Sequence, residues 1–378
     1  MTRANNTTYM LMHTLKTALT VKRPHGGEGV SLFTQWLRHN LPNNLKGNAH
    51  IDEIGNLHID ARRDLQKHKT LFVAHVDTVH SDDGKNLVKV KGDTWHAYGG
   101  AVLGADDGAG VALLMHLMYA GVPAYYIFTQ GEERGGVGAT YLANQCQPLL
   151  GQFSRAIAFD RRGTDSVISH QGWGRCCSDN FALALADALN VTHEEHFFYS
   201  PDDSGVYTDT AEFTDIIPEC TNISCGYLSE HTQNESLDTA HLRRLAAAVV
   251  AIDWDALPTE RDPSVIEEKS WGGYRGFTSV YDGAWWDGDD TSWADYQDEK
   301  YYRLDAIDAL MDATQGFTDD LKLMIAQAAY PDDVALALKH VRMQNIGRDE
   351  LDYALEAIQS GFDVSAVLLD LFDMCHVH

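Results

Sequence analysis

Up to about residue 254 the chain alternates two patterns of apolar and polar positions. Short apolar runs, rich in β-branched and aromatic residues and bounded by turn formers, predict strands: GNLHIDAR (55–62), TLFVAHV (70–76), AYYIFTQ (124–130), RAIAFD (155–160) and SVISHQ (166–171). Longer stretches with apolar residues three and four apart predict helices: TYMLMHTLKTAL (8–19), GVSLFTQWLRHNL (29–41), DGAGVALLMHLMYAG (107–121), CSDNFALALADAL (177–189) and DTAHLRRLAAAVVAIDWDAL (238–257). This alternation predicts an α/β domain over residues 1–254, a mixed, mostly parallel sheet between helices.

The pattern then breaks. Residues 255–300 mix Gly, Asp and aromatics without a steady period and hold Trp271, Trp285, Trp286 and Trp293, an irregular segment too aromatic for a simple linker. Residues 301–378 return to amphipathic helical periods, among them YYRLDAIDALMDATQG, PDDVALALKHVRMQN and RDELDYALEAIQSG, and predict a small all-α C-terminal domain. The Trp-rich segment and these helices are the expected surface for a homo-oligomer or a protein partner.

Charge and composition narrow the function. A net charge of -26 argues against binding phosphate backbones or anionic membranes, so no nucleic acid and no membrane are expected as partners. The six cysteines show no CxxC pairing and read as reduced thiols, and the N-terminus lacks the apolar core of a signal peptide, so the expected location is cytoplasmic.

Three of the strands run into His, Asp or Glu, where open α/β sheets bind ligands. In TLFVAHVDTVH, His75 and Asp77 stand two apart and share a face. LGADDGAG supplies Asp106 and Asp107, TQGEERGGVGA supplies Glu132 and Glu133, AIAFDRRG supplies Asp160, and SCGYLSEHTQNESLD supplies His231. Each alone is unspecific, since an acidic doublet beside Gly is usually a turn or a helix cap. Together, His, Asp, Glu, Asp and His form a complete ligand set for two zinc ions sharing one carboxylate. Two Zn2+ are balanced by Asp106, Glu133, Asp160 and one hydroxide; without metal, the carboxylates would repel.

The ordered set resembles the co-catalytic di-zinc exopeptidases, the bacterial leucyl aminopeptidase-like family and its relatives among tripeptide aminopeptidases, glutamyl aminopeptidases and glutamate carboxypeptidases. DEIGNLHID (52–60) and YTDTAEFTDIIPE (207–219) are similar to further segments of these enzymes, and the likeness covers about residues 10–250. It implies that His75, Asp106 and Asp160 hold one metal and Asp106, Glu133 and His231 the other, with Zn2+, or Co2+ or Mn2+, as cofactor. It also implies that Glu132 is the general base toward a metal-activated water, that Asp77 fixes the ring of His75, and that Tyr207 is a candidate oxyanion donor. The short interval from Asp160 to His231 leaves little room for an inserted lid domain and so resembles the lidless leucyl aminopeptidase type, whereas DEIGNL and GEERGGVGA are closer to the lidded relatives. The expected activity is an aminopeptidase on short peptides. A carboxypeptidase or N-acyl amino acid deacylase would use the same ligands, and a catalytically inactive binding module is the reading outside enzymes. HEEH (193–196) lacks the spacing of HExxH, GGVGATYL (135–142) lacks the Lys of a phosphate loop, and His80, His96, His116 and His170 are read as packing or surface residues.

Overall fold

A computed structural model describes residues 3–171, 174–191 and 197–265. The expectations for residues 266–378, which include the four clustered tryptophans and the C-terminal helices, and for HEEH at 193–196 lie outside the described residues.

Eight of the described strands form one sheet: β1 (Ala49–Ile51), β2 (Leu57–Asp60), β3 (Thr70–His75), β4 (Tyr125–Thr129), β5 (Arg155–Arg161), β6 (Ser166–Ile168), β7 (Ser200–Asp202) and β8 (Glu219–Ser224). Their spatial order is β7-β6-β8-β5-β3-β4-β2-β1. The pairings β7/β6, β8/β5, β5/β3 and β3/β4 are parallel and the rest antiparallel, so the sheet is mixed and mostly parallel, as the sequence predicts. All six residues of β3 are buried, which explains its unbroken apolar run: a central parallel strand is covered on both faces.

Six of the described helices, leaving aside the single turn Gln147–Leu150, surround it: α1 (Arg3–Thr20), α2 (Glu28–His39), α3 (Ala105–Ala120), α4 (Val137–Gln145), α5 (Asp179–Val191) and α6 (Thr239–Ala251). Every residue of α3 from Ala105 to Met118 is buried, because the helix is apolar on all sides and lies between α1 and the sheet. On that face Phe72 stacks between Tyr126 and Phe159 and meets the edge of Trp254. On the opposite face Leu71, Val73 and Ile127 pack with Ala139 and Leu142 of α4 and with Phe213 and Ile217.

Two features depart from the expected elements. SVISHQ does not stay one strand: β6 ends at Ile168, opposite Asp202, and His170–Gln171 turns into a separate two-stranded ladder with Gly174–Arg175. A second, antiparallel sheet, in the order Tyr227–Leu228, Ser236–Asp238, Thr94–Ala97, Val88–Lys91, was not expected at all. The chain past residue 254 stays tied to the domain, since Arg155 donates to the carbonyls of Trp254 (2.7 Å) and Leu257 (3.0 Å), and Glu219 accepts from the amides of Glu260 (2.7 Å) and Arg261 (3.1 Å). The five described cysteines are free thiols, and no described helix is long and apolar enough to cross a membrane.

Parallel pairing decides where the chemistry collects. The register sets His75 opposite Thr129 and Val73 opposite Ala158, so the carboxyl ends of β3, β4 and β5 deliver His75, the 130–133 loop and Asp160 to one edge.

Candidate metal centre

His75 closes β3, and its Nε2 lies 2.9 Å from Asp106 Oδ1 and 3.7 Å from Asp160 Oδ1. Asp106 comes from the first turn of α3, where it and Asp107 take non-helical dihedrals across a cis peptide bond. The other oxygen of Asp106, Oδ2, is 3.0 Å from His231 Nε2, and Glu133 Oε1 is also 3.0 Å from that nitrogen. His231 sits in the turn between Tyr227–Leu228 and Ser236–Asp238 with a positive φ of 64°. Three groups of donors therefore have their atoms within 4.8 Å of one another: His75, Asp106 and Asp160; Asp106, Glu133 and His231; and His75, Glu132 and Glu133. The first two share Asp106.

Surrounding hydrogen bonds hold these donors. Asp160 accepts from Thr208 Oγ1 (2.7 Å) on one oxygen and from the buried Tyr227 hydroxyl (3.0 Å) on the other. Asp107 accepts from the amides of His75 (3.2 Å) and Gly110 (2.8 Å), joining strand end to helix start. Asp77 accepts at its carboxylate from the amides of Gly131 (2.7 Å), Glu132 (3.2 Å) and Glu133 (3.2 Å). Gly131 makes the turn into that loop at a φ of 71°, a left-handed conformation that suits glycine. Arg23, fully buried, donates to Val76 O (2.6 Å), to Ala18 O and to Gly104 O (3.3 Å); burial lowers its pKa to about 10.

The electrostatics are those of too many acids in one place. Burial and neighbouring carboxylates push Glu132, Glu133 and Asp160 above the usual carboxylate range, and burial with Asp160 does the same to Asp107. Burial pushes Asp106 up as well, but the bonds from His231 and His75 outweigh it and hold that carboxyl below the ordinary range. Burial opposes charge on both imidazoles; Asp160 facing His75 and Glu133 facing His231 overcome it and raise both well above the ordinary histidine value.

All five residues expected as ligands, with Glu132, thus meet at one edge of the sheet. Asp77 is adjacent and meets the ring of His75 through its backbone carbonyl. The His75 Nδ1–H donates to the Asp77 carbonyl at 3.2 Å, while the nearer carboxylate oxygen is 3.7 Å away, because the carboxylate is engaged by the 131–133 amides. The Tyr207 hydroxyl donates to Glu212 (3.0 Å) instead of standing free for an oxyanion. His80 bonds Thr78 and the Val102 carbonyl, and His116 bonds the Thr7 carbonyl, as packing histidines do. Sequence reasoning missed Arg23, Thr208, Tyr227, Glu235 and Asp209. Asp209 is buried beside these acids, takes the Thr129 hydroxyl on one oxygen, has no hydrogen bond on the other, and is pushed up to about 7 by burial. The one available signal for Glu235 is an acid four residues after His231.

No protein-family model matches the sequence, and no curated protein matches it. Solved structures do match in fold. The aminopeptidase PepT of Bacillus cereus superposes with a TM-score of 0.50 at 14% identity, over 65% of this chain and 97% of that one. A tripeptidase of Staphylococcus aureus does so with a TM-score of 0.50 at 16% identity, over 64% of this chain and 96% of that one. At such identities the likeness is one of architecture, and the architecture is that of these peptidase structures.

Proposed function

We propose that the chain is a two-metal peptidase, an aminopeptidase acting on short peptides. The observation that carries this reading is the pair of donor sets sharing Asp106, one completed by His75 and Asp160, the other by Glu133 and His231.

The donor set fits divalent zinc, with cobalt or manganese as substitutes: imidazole nitrogen and carboxylate oxygen are its ordinary ligands, and a cation among them would relieve the repulsion that raises Glu132, Glu133 and Asp160. Bound there, the metals would polarise the scissile carbonyl and acidify a water. Tyr227 and Thr208 hold both oxygens of Asp160, so its orientation is fixed before any ligand arrives. Glu132 is grouped with His75 and Glu133 but belongs to neither of the sets that share Asp106. Its carboxylate is the group left to take a proton from the attacking water and return it to the leaving amine. The Asp77 clamp on the 131–133 amides gives the adjacent Glu132 and Glu133 their separate tasks. The exopeptidase resemblance and the shared architecture with an aminopeptidase and a tripeptidase support the substrate assignment.

Metal content and cleavage of short peptides, blocked at either end or free, measured before and after chelation, test the reading. About two metals per chain are expected, with activity lost on chelation and restored by zinc. Glu132→Gln should keep the metals and lose about 10²–10⁴-fold in kcat. Zinc-loaded parent that cleaves none of the peptides, or a Glu132→Gln variant as active as the parent, would refute it.

A further inference from the structure

We propose that Glu235 is a positioning residue that fixes Asp106 relative to His231, and so sets the spacing of the two donor sets. The inference rests on the two-metal reading above and adds a residue that belongs to neither set. Glu235 is fully buried. One carboxylate oxygen accepts from the amides of Leu103 (2.8 Å) and Gly104 (2.9 Å), the other from those of Ala105 (2.7 Å) and Asp106 (3.1 Å). Four successive amides leading into α3 thus end on one side chain, at a helix start whose amides have no partner within the helix. The same segment is held from its carbonyl side, where Asn86 Nδ2 donates to Val102 O (3.0 Å) and Leu103 O (3.1 Å) and Arg23 donates to Gly104 O (3.3 Å).

Position in the chain gives this anchor its meaning. Glu235 follows His231 by four residues in the same turn, where its amide donates to Thr232 O (3.2 Å). The backbone carrying Asp106 is therefore built onto the turn carrying His231, and the 3.0 Å approach of Asp106 Oδ2 to His231 Nε2 follows from that joint. Only a carboxylate offers two acceptor oxygens and no donor. A glutamine would point its NH2 at two of the four amides, and an aspartate is one methylene too short to hold all of them.

Glu219 is a matched control. It too is fully buried and accepts backbone amides, from Ser178 (2.7 Å), Glu260 (2.7 Å) and Arg261 (3.1 Å), but it lies at the start of β8, the opposite end of the sheet. Full-length protein stripped by a chelator is titrated with Co2+ and followed by visible absorption, with circular dichroism and thermal unfolding as folding controls. Glu235→Gln should bind Co2+ about 10–100-fold more weakly than the parent, with an altered d–d spectrum. Glu219→Gln should lose thermal stability and bind as the parent does. Parent-like titration of Glu235→Gln overturns the proposal, as does equal weakening in both variants, which would mark a merely structural role. Should Glu235→Gln not fold, Asn86→Ala loosens the carbonyl side of the same segment; weakened Co2+ binding supports the proposal and unchanged binding overturns it. A parent that takes up no Co2+ refutes the two-metal reading itself, a result distinct from a parent that binds and a Glu235→Gln variant that binds equally well.

Discussion

Asp77 places its carboxylate under three consecutive amides, so the loop bearing Glu132 and Glu133 is held by the neighbouring strand end. Asp77→Ala would leave those amides without their acceptor at a buried site, and about 1–3 kcal/mol of stability should be lost in urea unfolding, together with kcat. Asp77→Asn keeps one acceptor oxygen and should lose less of both. At this scale the sequence was informative about which side chains matter and poor about what each one touches. The two-residue step from His75 to Asp77 shows that they share a strand end, but not that the ring is held by a carbonyl while the carboxylate turns to residues 131–133. Arg23, Tyr227 and Glu235 were hidden for a related reason: their partners lie far along the chain, and no local period records a contact made across a fold.

Helices and interior strands were legible because burial imposes a period over ten or more residues, or an unbroken run over five or six. The small antiparallel sheet was not, since its strands are two to four residues long, too short for a period to rise above chance. A cue did exist in VKVKGDTWHA, where polar alternation meets a Gly92–Asp93 turn with Gly92 at a φ of 61°. Close approach between elements also escapes local patterns. A Cβ at Gly138, on the first turn of α4, would stand 2.4 Å from Asn56 Oδ1 and 2.7 Å from the backbone N and O of Gln130. Helix propensity alone predicts that Gly138→Ala stabilises by up to about 1 kcal/mol. The contact reverses the sign, and thermal unfolding should show a loss of about 1–3 kcal/mol as α4 is forced off the strand end.

Across the whole molecule, the fold class and the convergence of His75, Asp106, Glu133, Asp160 and His231 were readable while ancestry at the level of a matching family model was not. In the two-metal reading the chemistry asks for a handful of donors in order, whereas the core requires only apolar volume of the right period, which tolerates wide substitution. Burial also gives the domain a pH response away from the candidate metal centre. His241, beneath Tyr199 and Phe197, is lowered to about 4 from 6.5 chiefly by burial. The unfolded chain takes up a proton there that the folded chain refuses, so this contribution to stability is full above about 6.5 and is lost as pH falls toward 4. Tm measured over that window should decline with falling pH, and His241→Asn should flatten the decline. The placement of His231 has a last consequence. Its four fellow donors hang from the large sheet or from α3, while it alone is offered by the hairpin Tyr227–Asp238 of the small one. The site is in effect a clasp whose tongue is that hairpin: a graft replacing the chain between Leu228 and Ser236 would take away His231 and, with it, the Glu235 anchor of Asp106, leaving His75 and Asp160 on the large sheet.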